Sequence, residues 1–147
     1  MKVRISGPPR RRDLLAPDRR LLRRRTRSVL TWLEQKDSEL SIVLLDDSEM
    51  AELNESYRSR RGPTDVLSFS LHEGRHSRHR HGLLGDVVIG VRRAADQARR
   101  RRRGVDDEVA RLLVHGVLHL LGHDHEREAE AKQMRRLERR LWRALEL

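Results

Sequence analysis

Residues 105–125 read Val105-Asp106-Asp107-Glu108-Val109-Ala110-Arg111-Leu112-Leu113-Val114-His115-Gly116-Val117-Leu118-His119-Leu120-Leu121-Gly122-His123-Asp124-His125. Three acids at 106–108 suit the positive end of a helix dipole, so a helix starts there. It runs through apolar residues to about Leu121, and Gly122 stops it. Glycine takes the left-handed conformation that ends a helix and turns the chain back. That return brings the histidines after Gly122 towards those before it.

His115 and His119 stand four apart on this helix. They share a face, with Cβ atoms about 6 Å apart, and two imidazoles so placed can bind one metal ion. A single helix histidine is more often structural than a ligand. A third, His125, completes H-x-x-G-x-x-H after the second and makes metal the favoured reading. Three neutral imidazoles with an open fourth position describe a catalytic zinc site, because a structural site is closed by a fourth ligand. His123 reads as an exposed bystander. Asp124 either caps the last helix or accepts a hydrogen bond that orients an imidazole.

The spacing is that of the long zinc-peptidase signature H-E-x-x-H-x-x-G-x-x-H, with Gly116 where the general-base glutamate stands. Peptide hydrolysis by that route is disfavoured. A metal would still act as a Lewis acid and lower the pKa of bound water towards ~7.

Outward from this segment, the 147 residues fit one domain, 1–147. Without cysteine, disulfides, thiolate metal sites and cysteine nucleophiles are excluded. The four aromatics are Trp32, Tyr57, Phe69 and Trp142, so the core is mostly Leu, Val and Ile. No apolar run approaches the ~20 residues of a membrane span. No apolar segment of a secretory signal follows Met1-Lys2, and the expected compartment is the cytoplasm. The net charge of +10 comes from 33 basic residues, all arginine except Lys2, Lys36 and Lys132, which favours a polyanionic partner.

Val3 and Ile5 alternate as in a short strand. A helix follows with Pro17 in its first turn and an apolar stripe of Leu22, Thr26, Val29, Leu30 and Leu33. Leu40 to Leu45 reads as a buried strand. Asp46-Asp47-Ser48 caps a short helix carrying Met50, Leu53 and Tyr57. Arg60 to Pro63 is a turn. Asp65 to Ser70 and Leu83 to Gly90 are strands, separated by a polar loop holding His72, His76, His79 and His81. Asp86, a carboxylate in an apolar strand, calls for a partner. A helix with Ala94, Ala95 and Ala98 on one face runs from Val91 and ends near Gly104. A last helix spans roughly 126–145, with Met134, Leu137, Leu141 and Leu145 as its stripe. The result is an α+β domain with a small sheet, about five helices, and a metal site on a helix and the turn after it.

His115 to His125 is similar to the H-G-x-L-H-L-x-G-x-D-H signature of the YbeY family, bacterial rRNA maturation factors that are metal-dependent endoribonucleases. Leu53-Asn54-Glu55-Ser56-Tyr57-Arg58 and Thr64-Asp65-Val66-Leu67-Ser68-Phe69 resemble that family's L-N-x-x-Y-R and T-D-V-L-S-F blocks, and Leu84 to Ile89 is a third match. The resemblance implies a four-stranded mixed sheet, one Zn2+ per chain on His115, His119 and His125, and Arg58 facing the site as a catalytic cation. It further implies single-strand-specific cleavage in ribosomal RNA processing, including 16S 3′-end maturation and ribosome quality control, in association with the small ribosomal subunit. The stretch between Phe69 and Gly82 departs from the family pattern.

Arg58 would hold a phosphate or offset charge developing on it. Arg99, Arg100, Arg101, Arg102 and Arg103 form one basic block with Arg92 and Arg93, and Arg10 to Arg27 a second. Both suit an RNA backbone. Two rival readings are a non-catalytic ribosome-assembly or RNA-binding factor with structural zinc, and a zinc peptidase. A fourth ligand would favour the former.

Overall fold

Lys2–Ser6 (β1), Glu39–Leu45 (β2), Val66–Ser70 (β3) and Leu83–Gly90 (β4) form one mixed sheet in the order β1-β2-β4-β3. The computed structural model describes residues 1–7, 16–58, 65–70, 83–123 and 127–147, with backbone alone at 57, 58 and 83. β1, β2 and β4 run parallel, and β3 pairs antiparallel with β4 at the edge. Parallel neighbours require crossovers. Arg19–Trp32 (α1) makes the first, and Asp47–Arg58 (α2) lies on the second. Val91–Arg100 (α3), Val105–Leu120 (α4) and Glu128–Ala144 (α5) follow, and α4 contacts α1, α3 and α5 as well as β3 and β4.

Strand alternation decides which side is buried. Leu40, Ile42 and Leu44 of β2 and Val87 and Ile89 of β4 meet Val109, Leu113 and Val117 of α4 in the main core. Each such side chain contributes about 1.5–3 kcal/mol by leaving water. The other face has only a small cluster, Met50 of α2 with Leu67 and Val88. β2 is therefore not the fully buried strand its run of apolar residues predicts: Ser41, Val43 and Leu45 stay half-buried, and among the described residues the small cluster around Met50 is what packs on that side. Asp86 faces that same side and is half-buried, with no ion pair to its carboxylate among the described residues.

Two expected helix boundaries also move. Pro17 precedes α1 instead of entering it, because the Asp18 carboxylate accepts from the amides of Arg20 and Leu21 at 3.0 and 3.2 Å and takes the N-cap. Gly104 is not the left-handed residue that closes α3. It has φ −68° and caps α4, while Arg102 holds φ 53°. The left-handed region costs an arginine roughly 1–2 kcal/mol. Its neighbours Arg101 and Arg103 hold the turn by pairing with Glu108, at 2.9 and 3.1 Å.

Candidate metal centre

α4 brings His115 and His119 onto one face near its C-terminal end, both half-buried. Their rings meet edge to face with centroids 4.6 Å apart and planes at 76°. Their Nε2 atoms stand 3.1 Å apart. Two imidazole nitrogens on a tetrahedral zinc, each at ~2.0–2.1 Å from the ion, stand about 3.4 Å from one another. The observed pair therefore fits a shared cation of that size.

The second nitrogen of His115 fixes which atom is presented. Its Nδ1 lies 2.5 Å from Oε1 of Glu138 on α5. A carboxylate only accepts, so Nδ1 carries the hydrogen and Nε2 turns its lone pair towards His119. Metal-binding histidines are commonly oriented in this way. Glu138 is the functional residue that sequence reasoning missed. The signal was present: it sits four after Met134 and three before Leu141, both buried, and a carboxylate on an apolar stripe needs a partner.

The helix ends as its glycine dictates. Gly122 takes φ +94°, its amide bonds to the carbonyl of His119 at 3.0 Å, and the His123 amide reaches Leu118 at 3.0 Å. His125 and Asp124 lie outside the described residues, as do Thr64, residues 71–82 and the side chain of Arg58, whose backbone ends α2. Among the described residues, no group of three or more His, Cys, Asp or Glu forms a metal site; His115 and His119 are two of the three expected ligands.

Gly116 explains how the sequence blocks fit together. A Cβ there would stand 2.7 Å from Cγ1 of Val87 on β4 and 3.1 Å from Oγ of Ser68 on β3. Ser68 also donates to the Gly116 carbonyl at 2.9 Å. The V-L-S-F strand, the Leu84 to Ile89 strand and the histidine helix thus meet at one glycine, which seats the helix on the sheet. A side chain at this position would meet Val87, so the glycine is what this packing takes, and the base of the zinc-peptidase signature is absent.

A cleft of about 340 Å³ opens beside His115 and Glu138. Arg101 and Arg103 wall it, each paired with Glu108, whose side chain is fully buried. Two members of the expected RNA-binding run therefore hold the fold, since an unpaired buried carboxylate would be costly. Arg99, Arg100 and Arg102 remain exposed. Arg111 stacks over Trp142 at 4.3 Å from its ring centre. Burial, and next the charge of Arg103, push its pKa below the ordinary arginine value. Asp65 is structural, accepting from the Gln97 side chain at 3.1 Å.

A family model described as endoribonuclease YbeY matches residues 17–146. The chain belongs to the YbeY endoribonuclease family. Membership makes it a hydrolase acting on RNA, in a family of metalloenzymes. Similar YbeY proteins include that of Anaeromyxobacter sp. (strain Fw109-5), 46% identical over 145 residues, spanning 98% of this chain and 72% of the relative. The YbeY protein of Aquifex aeolicus is 46% identical over 111 residues, covering 75% of this chain and 72% of its own. In fold, the chain is similar to a solution structure from Thermotoga maritima, with a TM-score of 0.60 at 24% identity over 98% of this chain and 91% of the other.

The Glu138 contact yields the first expectation. Glu138→Ala should weaken metal binding by about 10–100-fold, read by competition with a chromogenic chelator. Glu138→Gln should lose less, because its amide oxygen still accepts from Nδ1. Equal affinity in all three proteins would show that Glu138 only fills space.

Proposed function

We propose that the protein is a zinc-dependent, single-strand-specific endoribonuclease of ribosomal RNA maturation, with His115, His119 and His125 holding one zinc ion per chain. The observation that carries this reading is the 3.1 Å approach of the two Nε2 atoms, one of them oriented by Glu138. Bound there, zinc supplies Lewis acidity to a phosphodiester. His125 enters through its spacing after Gly122, and Asp124 orients an imidazole. Arg58 grips the scissile phosphate and offsets the charge that develops on it. The exposed Arg99, Arg100 and Arg102 hold the RNA backbone through charge. The substrate is ribosomal RNA, including the 3′ end of the small-subunit RNA, and the partner is the small ribosomal subunit in the cytoplasm. The +10 net charge supports a polyanionic substrate, and among the described residues no helix is long and apolar enough to cross a membrane.

The test is cleavage of a fragment carrying the 3′ end of small-subunit rRNA. Chelation should stop it, and about one equivalent of zinc per chain should restore it. Zinc uptake should weaken as pH falls, because the imidazoles must be neutral to bind. Cleavage that persists in the chelated protein after repurification would overturn the reading.

A further inference from the structure

α1 meets its helix dipole with one acid, the Asp18 N-cap, and then carries six arginines. α2, α4 and α5 place acids in their first turns, and α3 ends on Arg99 and Arg100. Each arrangement suits the helix dipole. α1 opens on Arg19 and Arg20, has no acid in its first turn, and has no base in its last. The fold uses two of its arginines: Arg19 donates to the Gly7 carbonyl, and Arg25 pairs with Asp107 at 3.0 Å. Arg20, Arg23, Arg24 and Arg27 make no ion pair or side-chain hydrogen bond among the described residues. They stack as like charges four apart, Arg20 over Arg24 and Arg23 over Arg27, an arrangement that weakens a helix.

These four arginines line a groove of about 710 Å³ between α1 and the end of α5, and among the described residues no acid lines it. Trp32 forms part of the wall, 37% exposed, with the Arg140 guanidinium 5.4 Å from its ring centre. Some arginines elsewhere are neutralised within the fold, Arg92 by Asp96 and Arg101 and Arg103 by Glu108, whereas these four stand together in one groove. A local rule broken without structural gain marks a site kept for function.

We propose that the α1/α5 groove is an RNA exosite that holds the phosphodiester backbone of the substrate away from the cleavage centre, with Trp32 as a stacking surface for an unpaired base. The proposal rests on the ribonuclease reading and adds to it a second place where RNA is held. Leu141, Ala144 and Leu145 line the groove three to seven residues beyond Glu138, so groove and metal centre lie along the same helix. A substrate that occupies both extends past the scissile bond.

The test compares the full chain with a variant carrying Arg20→Gln, Arg23→Gln, Arg24→Gln and Arg27→Gln, and with the corresponding fourfold Lys variant. The probes are a short oligoribonucleotide and a longer small-subunit rRNA fragment, bound across a salt series. For the long RNA the Gln variant should lose about tenfold or more in affinity, and its salt slope should fall by up to about 3. Cleavage of the short RNA should be unchanged. The Lys variant should keep the slope. The Gln variant should also melt a few degrees higher, since like-charge repulsion is gone; melting below wild type would contradict the argument from misplaced charge. An unchanged salt slope on long RNA, with wild-type cleavage intact, overturns the exosite alone. A wild type that neither binds nor cleaves RNA overturns both readings. Loss of binding to phosphatidylserine vesicles, with RNA binding retained, would assign the groove to a lipid surface and also overturn the proposal.

Discussion

His119→Ala is expected to strip the metal and to lower single-turnover RNA cleavage by more than about a thousandfold, while the protein stays folded. His119 is half-buried at the end of α4, and its backbone carbonyl, not its ring, closes the turn at Gly122. Alanine is the best helix former, so the helix survives the change. What disappears is one of two nitrogens standing 3.1 Å apart. One imidazole plus His125 cannot match a three-ligand site. His123→Ala is the matched control: its amide still bonds to Leu118, and both metal and activity should remain. Metal analysis of the purified proteins and cleavage at saturating enzyme decide the matter. The same pair of variants exposes a contaminating ribonuclease, which would cleave equally in both. Full activity in metal-free His119→Ala protein would sink the assignment.

Arg58→Ala should fail in a different way, lowering the saturated cleavage rate by roughly a hundredfold while barely changing RNA affinity or metal content. A cation that meets charge only as the phosphate reacts contributes in the transition state and little before it. Arg58→Lys should rescue little, because an ammonium cannot reproduce a planar pair of donors. The exposed Arg99, Arg100 and Arg102 should behave in the opposite sense. On the proposed reading their charges meet the RNA backbone alike before and during reaction, so neutralising them should raise the RNA dissociation constant, reduce its salt slope by up to about 1 per residue, and leave the saturated rate nearly intact. If Arg58→Ala binds weakly yet cleaves at the normal saturated rate, Arg58 is one more docking residue.

The parts of the molecule set by short-range periodicity were legible in the sequence. His115 and His119 share a face because helices repeat every 3.6 residues, and Gly122 turns the chain at φ +94° because its neighbours cannot do so cheaply. Four strands and five helices follow from the same local patterns. What stayed hidden depends on partners distant in sequence. Glu108 reads as a dipole-favouring acid in a first turn, yet it is fully buried because Arg101 and Arg103 reach over it from the preceding turn. Glu138 shows in the sequence as a carboxylate on the stripe of Met134 and Leu141, but its partner His115 lies on another helix and does not show. The half-covered second face of β2 could not be read from β2 at all, since it depends on what packs on that side.

Gly116 bears on how this chemistry can change over generations. From H-G-x-L-H to H-E-x-x-H is one substitution on paper. Here the new side chain would begin 2.7 Å from a methyl of Val87, a branched residue with no slack in a buried strand. The larger residue can be acquired only if Val87 or the helix gives way, and a shift of the helix would move both histidines with it. Each intermediate would lose stability before it gained activity. The packing at Gly116 thus opposes that exchange whatever substrate the site takes.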